Sequence, residues 1–181
     1  MRLRDLILKD QAGLLFTADD SRSIEEDLLR RLLQLPPGGL LLIDFEGARV
    51  ASEAARQLLR RALLRTTSGE LEDRFLLLTH LDRSRYSVDA MLRKEGLTMV
   101  ERCPEGPRLI GQVERVVEQT FEYVAAKDEV TASMVQNHFA LQAIAAATNR
   151  LTALWKLALV RRHGPRSLQG GGREYLFSAV Q

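Results

Sequence analysis

Asn149 and Arg150 stand side by side in the segment AIAAATNRLTALWKL, and both carry planar side chains with several hydrogen-bonding atoms. A carboxamide can pair with the N6 and N7 edge of adenine, and a guanidinium with O6 and N7 of guanine, so the two suit base reading in a DNA major groove. Ala145 and Ala146 precede them and are small enough to let a helix approach a groove floor, with Gln142 just ahead. Lys156, Arg162, Arg166 and Arg173 follow as cations suited to phosphate. From residue 130 onward Arg150, Lys156, Arg161, Arg162, Arg166 and Arg173 face Glu174 alone, whereas residues 1–110 balance Lys and Arg against Asp and Glu to zero. A basic patch confined to one end is the electrostatic footprint of a phosphate-binding surface, although the same residues also fit an ordinary solvated face.

Other reactive residue types form no comparable group. Asp44 and Glu46 lack a third ligand at metal-binding spacing, and a strand-end Asp bonded to turn amides accounts for Asp44. His80, His138 and His163 lie in three unrelated segments; His80, at a strand end, can face a cleft but has no nucleophile nearby. Gly170-Gly171-Gly172 lacks the following Lys-Ser/Thr of a nucleotide-phosphate loop. Cys103 is the chain's one cysteine; it has no internal disulfide partner, and an ordinary turn thiol in a reducing cytosol is the expectation. No catalytic residue, metal or cofactor is expected.

Hydrophobic residues at 45% and charged residues at 28% are the balance of a folded, water-soluble chain. No apolar run reaches the roughly 20 residues of a membrane span. The opening MRLRDLILKD is charged throughout and does not read as a secretion signal, so a cytoplasmic protein is expected.

The elements that must hold these residues follow from periodicity. RLRDLIL (2–8) and GLLFT (13–17) read as strands, and a helix capped by Asp20 or Ser21 carries Ile24, Leu28, Leu29, Leu32 and Leu33 at helical spacing until Pro36-Pro37-Gly38-Gly39. LLLIDF (40–45) and FLLLTHL (75–81) read as buried strands, with helices from Ser52 to about Leu64 and around Val88–Lys94, and a third strand at 97–102. This alternation predicts a mainly parallel sheet covered by helices. Cys103–Arg108, with two prolines and a glycine, is the expected boundary. Residues 112–126 then form an amphipathic helix with Val113, Val116, Val117, Thr120, Phe121 and Val124 on one face, a stripe that also motivates a homodimer.

After it, Thr131 caps a short helix, Leu141-Gln142 turns, and a longer helix runs from about Ala143 to Leu157. Its inward stripe reads as Ile144, Thr148, Leu151, Leu154, Trp155 and Leu157, which leaves Ala145, Ala146, Asn149, Arg150 and Thr152 outside. Strands at 159–163 and 174–180 flank the basic loop GPRSLQGGGR. The string ATNRLTALWKLALVRRHGPRSLQGGGREYLF resembles the recognition helix and wing of bacterial winged-helix transcriptional regulators, over about residues 128–180. One departure is Ala158, where that family usually has a glycine serving a left-handed cap, so the turn is expected to differ. The resemblance implies contact with double-stranded DNA through Gln142, Ala145, Asn149, Arg150, Lys156, Arg162, Arg166 and Arg173. Winged helices also serve as protein-contact modules, and an interaction adaptor in a signalling or defence system is the alternative.

LLLIDFEGARVASEAARQLL (40–59) resembles the STAS-like domains of bacterial regulatory proteins, relatives of the anti-sigma-factor antagonists. That resemblance implies a regulatory or protein-interaction role for the first part of the chain, and phosphorylation at Ser52, where a helix N-terminus favours negative charge. A plain capping serine explains Ser52 equally, and Glu53 would repel a phosphate. The expected organisation is therefore a STAS-like α/β domain (1–108), a connecting helix (109–127) and an α+β winged helix-turn-helix (128–181).

Overall fold

The computed structural model describes residues 18–48, 50, 52–71, 73–167 and 173–181. The two expected N-terminal strands and the glycine-rich tip at 168–172 lie outside the described residues, as do the side chains of Asp20, Ser21 and Ser52. The chain divides into one unit ending at Val113 and a second spanning Glu114–Val180.

In the first unit α1 (Ala18–Gln34) leads to β1 (Leu40–Asp44), α2 (Ser52–Thr67), β2 (Phe75–Thr79), a short 3-10 turn (Asp82–Ser84), α3 (Arg85–Glu95), β3 (Thr98–Cys103) and β4 (Gly106–Gly111). The four strands lie in the order β1-β2-β3-β4, parallel across the first two pairings and antiparallel across the last. Leu41 and Ile43 of β1 and Leu76 and Leu78 of β2 alternate onto one face. There they join Ile24, Leu28, Leu29 and Leu32 of α1, Ala55, Leu58, Leu59 and Ala62 of α2, and Val88 and Leu92 of α3 in one core. Phe75, Leu77 and Val100 are buried as well, which is why these strands read as continuous apolar runs rather than alternating ones. Leu33, expected on the inward stripe of α1, is 52% exposed.

Two expectations change here. Strand β2 stops at Thr79 rather than Leu81, because His80 takes a left-handed conformation (φ 52°) that an extended ladder cannot continue. The Cys103–Arg108 segment is not a boundary: Pro104-Glu105 turns the chain between β3 and β4, with Cys103 opposite Gly106. Turn residues and linker residues are the same types, so composition could not separate the two. Pro107 is tolerated because β4 lies at the edge of the sheet formed by the described residues. Gly111 (φ 100°) closes the unit, and its N–H donates to Asp89 Oδ1 at 2.9 Å. A Cβ there would run into the Leu97 carbonyl oxygen.

The second unit contains α4 (Arg115–Ala125), α5 (Ala132–His138), α6 (Ile144–Lys156), β5 (Val160–Ser167) and β6 (Arg173–Ala179). β5 and β6 form an antiparallel hairpin whose register shifts between Arg162 and Pro165, and Val130 bridges to Phe177 on its edge. Helix α4, expected as a connector, packs on α6 and β6. Its Thr120, Phe121 and Val124 are buried with Val130, Val135, Leu151, Leu154, Val160 and Phe177. Half of the stripe that suggested a homodimer is thus buried inside this unit, with Val113 and Val117 half-buried and Val116 46% exposed.

Helix ends in this unit use alanine where glycine is usual. After α6, Ala158 sits at φ 55°, its N–H donating to Trp155 O at 2.9 Å while Leu159 N–H reaches back to Leu154 O at 3.0 Å. After α5, Ala140 repeats the pattern at φ 49°, with Leu141 N–H donating to Gln136 O at 3.0 Å. This is the bonding of a Schellman cap, made around Gly96 after α3 in the same way. The left-handed cap at Ala158 is therefore present without its glycine. A Cβ in that region costs on the order of 1 kcal/mol, partly offset because alanine restrains the unfolded chain more than glycine does. Ala158→Gly should raise the urea midpoint followed by the fluorescence of Trp155, a net gain of about 0.5–1 kcal/mol. Gly111→Ala should act oppositely, with a loss of about 2 kcal/mol or more in the unfolding of the first unit followed by circular dichroism. A neutral Gly111→Ala would mean that the Leu97 carbonyl can move aside freely.

Candidate nucleic-acid interface

Helix α6 buries Ala147, Leu151 and Leu154, at i, i+4 and i+7, against α4, α5 and β5. That choice sets the helix rotation. Ala145, Asn149 and Lys156 point to solvent, with Thr152 half-buried between them, and Gln142 is exposed in the turn before the helix. Two residues expected inside are outside: Ile144 is 44% exposed and Thr148 is exposed. The apolar periodicity pointed at Ile144 because it undercounted Ala147, whose small side chain is the one that the neighbouring helices cover. Trp155 and Leu157 are half-buried rather than core residues.

The cations are not equivalent. Arg150 is half-buried and its guanidinium lies over the Phe139 ring, 4.9 Å from its centroid. Phe139 belongs to an aromatic group in which Tyr123 of α4 stacks on His138 at 4.0 Å, and His138 meets Phe139 edge-on at 4.6 Å. Arg150 therefore ties α6 to the end of α5 and to α4. Arg162 lies over the Trp155 ring at 3.8 Å and the Tyr175 ring at 5.0 Å, which fastens both arms of the hairpin to α6. Each such contact at a partly exposed site contributes about 0.5–1 kcal/mol. Arg162 is nonetheless exposed, as are Lys156, Arg166 and Arg173.

Glu174, the acid of this segment, is drawn aside. Its Oε1 accepts from the Ser133 backbone N–H and from Ser133 Oγ, both at 2.8 Å, at the start of α5, where Thr131 Oγ1 also accepts from Met134 N–H. Negative charge is favoured at a helix N-terminus. Arg166 on β5 faces Glu174 on β6 across the ladder, but the carboxylate of Glu174 is engaged at the start of α5. Sequence reasoning missed Trp155 and Tyr175 as platforms for Arg162, and Glu174 as a cap. The signal available was their shared position on a helix end and a facing strand, which only the hairpin register brings together.

The first unit has its own cleft, about 390 Å³, at the carboxyl ends of β1, β2 and β3. Asp44 Oδ1 accepts from Glu46 N–H at 3.0 Å, the turn amide that its position suggested, and also hydrogen-bonds His80 Nδ1 at 2.8 Å. That bond, then the charges of Asp44, Glu46 and Asp82, holds the His80 imidazolium above its ordinary 6.5. Glu101, 1% exposed, takes Arg85 at 2.6 Å and Arg108 at 2.8 Å, so its buried charge is compensated on both oxygens. Burial, and then Glu101, push the Cys103 thiol up, which keeps it protonated and a poor nucleophile. Among the described residues no group of His, Cys, Asp or Glu is placed to hold a metal ion. Ser52 opens α2, and Glu53 beside it is paired with Arg56 at 2.5 Å.

Because the folded-state pKa of His80 lies above the unfolded one, the pair stabilises fully below the unfolded value near 6.5 and the contribution disappears as pH rises through the folded value. The His80 ring resonances followed by NMR against pH should show a midpoint above 6.5 that falls in Asp44→Asn. An unchanged midpoint in that variant would remove Asp44 as the cause.

No family model matches the chain, and neither a curated protein nor a solved structure matches it.

Proposed function

We propose that Glu114–Val180 is a winged helix-turn-helix that binds duplex DNA, and that the first unit is a STAS-like regulatory domain, the whole acting as a transcriptional regulator. On this reading α5 and α6 are the helix pair, α6 enters the major groove, and the β5–β6 hairpin is the wing. The observation that carries it is the stacking of Arg162 on Trp155 and Tyr175, because it fixes the exposed side of α6 and the cationic hairpin as parts of one surface. Asn149, Ala145 and Gln142 then meet base edges, while Lys156, Arg166 and Arg173 meet phosphates. Arg150 and Arg162 act differently from the sequence expectation: half-buried Arg150 and exposed Arg162 hold the surface in shape through the aromatic rings they lie over.

The two roles separate in a salt titration. Arg166→Ala and Arg173→Ala should weaken binding to every duplex alike, each lowering the slope of log K against log salt by about 0.9. Arg162→Ala should lower the unfolding midpoint as well as the affinity, since it removes the stacking between helix and hairpin. Wild-type affinity and slope in all three variants would overturn DNA contact through this surface and favour the adaptor reading.

A further inference from the structure

Building on that DNA-binding reading, we propose that the reading surface of α6 selects A·T base pairs, through carboxamides on adenine and methyl groups on thymine, and has no side chain free to read guanine. In helix-turn-helix docking, the residues at the N-terminal half of the second helix reach the base edges. Here the exposed ones are Ile144, Ala145, Ala146, Thr148 and Asn149, with Gln142 exposed in the turn just before the helix. Gln142 and Asn149 carry the two side chains whose paired donor and acceptor match adenine N7 and N6.

The other four offer carbon. Ala145, Ala146 and Ile144 are apolar, and Ile144 is a β-branched hydrophobe left 44% exposed at the first turn of the helix, where folding gives it no cover. The Thr148 hydroxyl donates to the Ile144 carbonyl at 3.1 Å, so its proton is spent on the helix itself, leaving its methyl and an acceptor oxygen to present. Thymine alone among the four bases displays a methyl group in the major groove.

Guanine recognition needs a free Arg or Lys at the same end. Arg150 is the nearest, but it sits on the flank of α6, half-buried over Phe139. Lys156 is exposed, but it lies about 10 Å beyond Asn149 along the axis at 1.5 Å per residue, in the last turn. The cations of this unit thus lie around the reading surface rather than on it, which suits phosphate contact and leaves base choice to amide and methyl groups.

The test is selection by the full-length chain from a pool of short random duplexes, followed by titration of the selected duplex with thymines replaced by uracils. Enrichment of A·T pairs at the half-site is expected, with about fourfold weaker binding for each contacted methyl removed. Asn149→Ala should cost about tenfold or more on the selected duplex and little on random DNA. Selection of G·C pairs, indifference to uracil, or an Asn149→Ala loss that is equal on selected and random duplexes would overturn this inference while leaving DNA binding intact. Absence of binding to every duplex at low salt would overturn the DNA reading beneath it.

Discussion

The second unit is organised by which stripe of α6 is buried. Ala147, Leu151 and Leu154 face α4, α5 and the hairpin, and that selection rotates Ala145, Thr148 and Asn149 into solvent. Ala147 is fully buried, so a larger residue there would have to turn or displace the helix. Everything proposed for α6 depends on this rotation. Two arginines then brace it: Arg150 over Phe139 toward the helical side, and Arg162 over Trp155 and Tyr175 toward the hairpin. They hold in place the helix that the cations around it would anchor to phosphate.

Charge is arranged differently in the two units. In the first, opposite charges meet one another: Glu101 between Arg85 and Arg108, Asp44 with His80, Asp89 with Arg93. In the second, the acid nearest the hairpin cations caps α5, and Lys156, Arg166 and Arg173 are left exposed. Over the whole second unit eight Lys and Arg stand against six Asp and Glu, so its cationic excess is confined to the part from residue 130 onward. The cleft at the carboxyl ends of β1–β3 lies where open α/β sheets present their ligand sites, yet its charges are largely paired among themselves.

Much of the architecture was legible because apolar period and punctuation agreed. The strands at Leu40–Asp44 and Phe75–Thr79, the helix opened by Ser52, the Thr131 cap and the turn at Leu141-Gln142 all carry local signals strong enough to survive tertiary context. Three features were not legible, each for a nonlocal reason. The Pro104–Gly106 hairpin shares its residue types with a linker, and only the pairing of β3 with β4 distinguishes them. Helix α4 has an amphipathic stripe that any partner could satisfy, and the sequence does not say that Phe121 and Val124 find theirs within the same unit. Ala140 and Ala158 adopt left-handed caps that propensity assigns to glycine, because the 6→1 bonds of Leu141 and Leu159 hold them there. At the candidate site the outward positions of Ala145 and Asn149 followed from helical spacing. The engagement of Arg150 with Phe139 did not, since it joins residues on two different helices.

The most direct test of the account is an amide NMR spectrum of the full-length protein, recorded as a mixed-sequence duplex is added at low and then at higher salt. The account predicts shifts concentrated on Gln142–Thr152 and on the exposed arms of the hairpin around Arg166 and Arg173, fading as salt rises. Shifts confined to the residues around Asp44 and His80, or none at low salt, would contradict it.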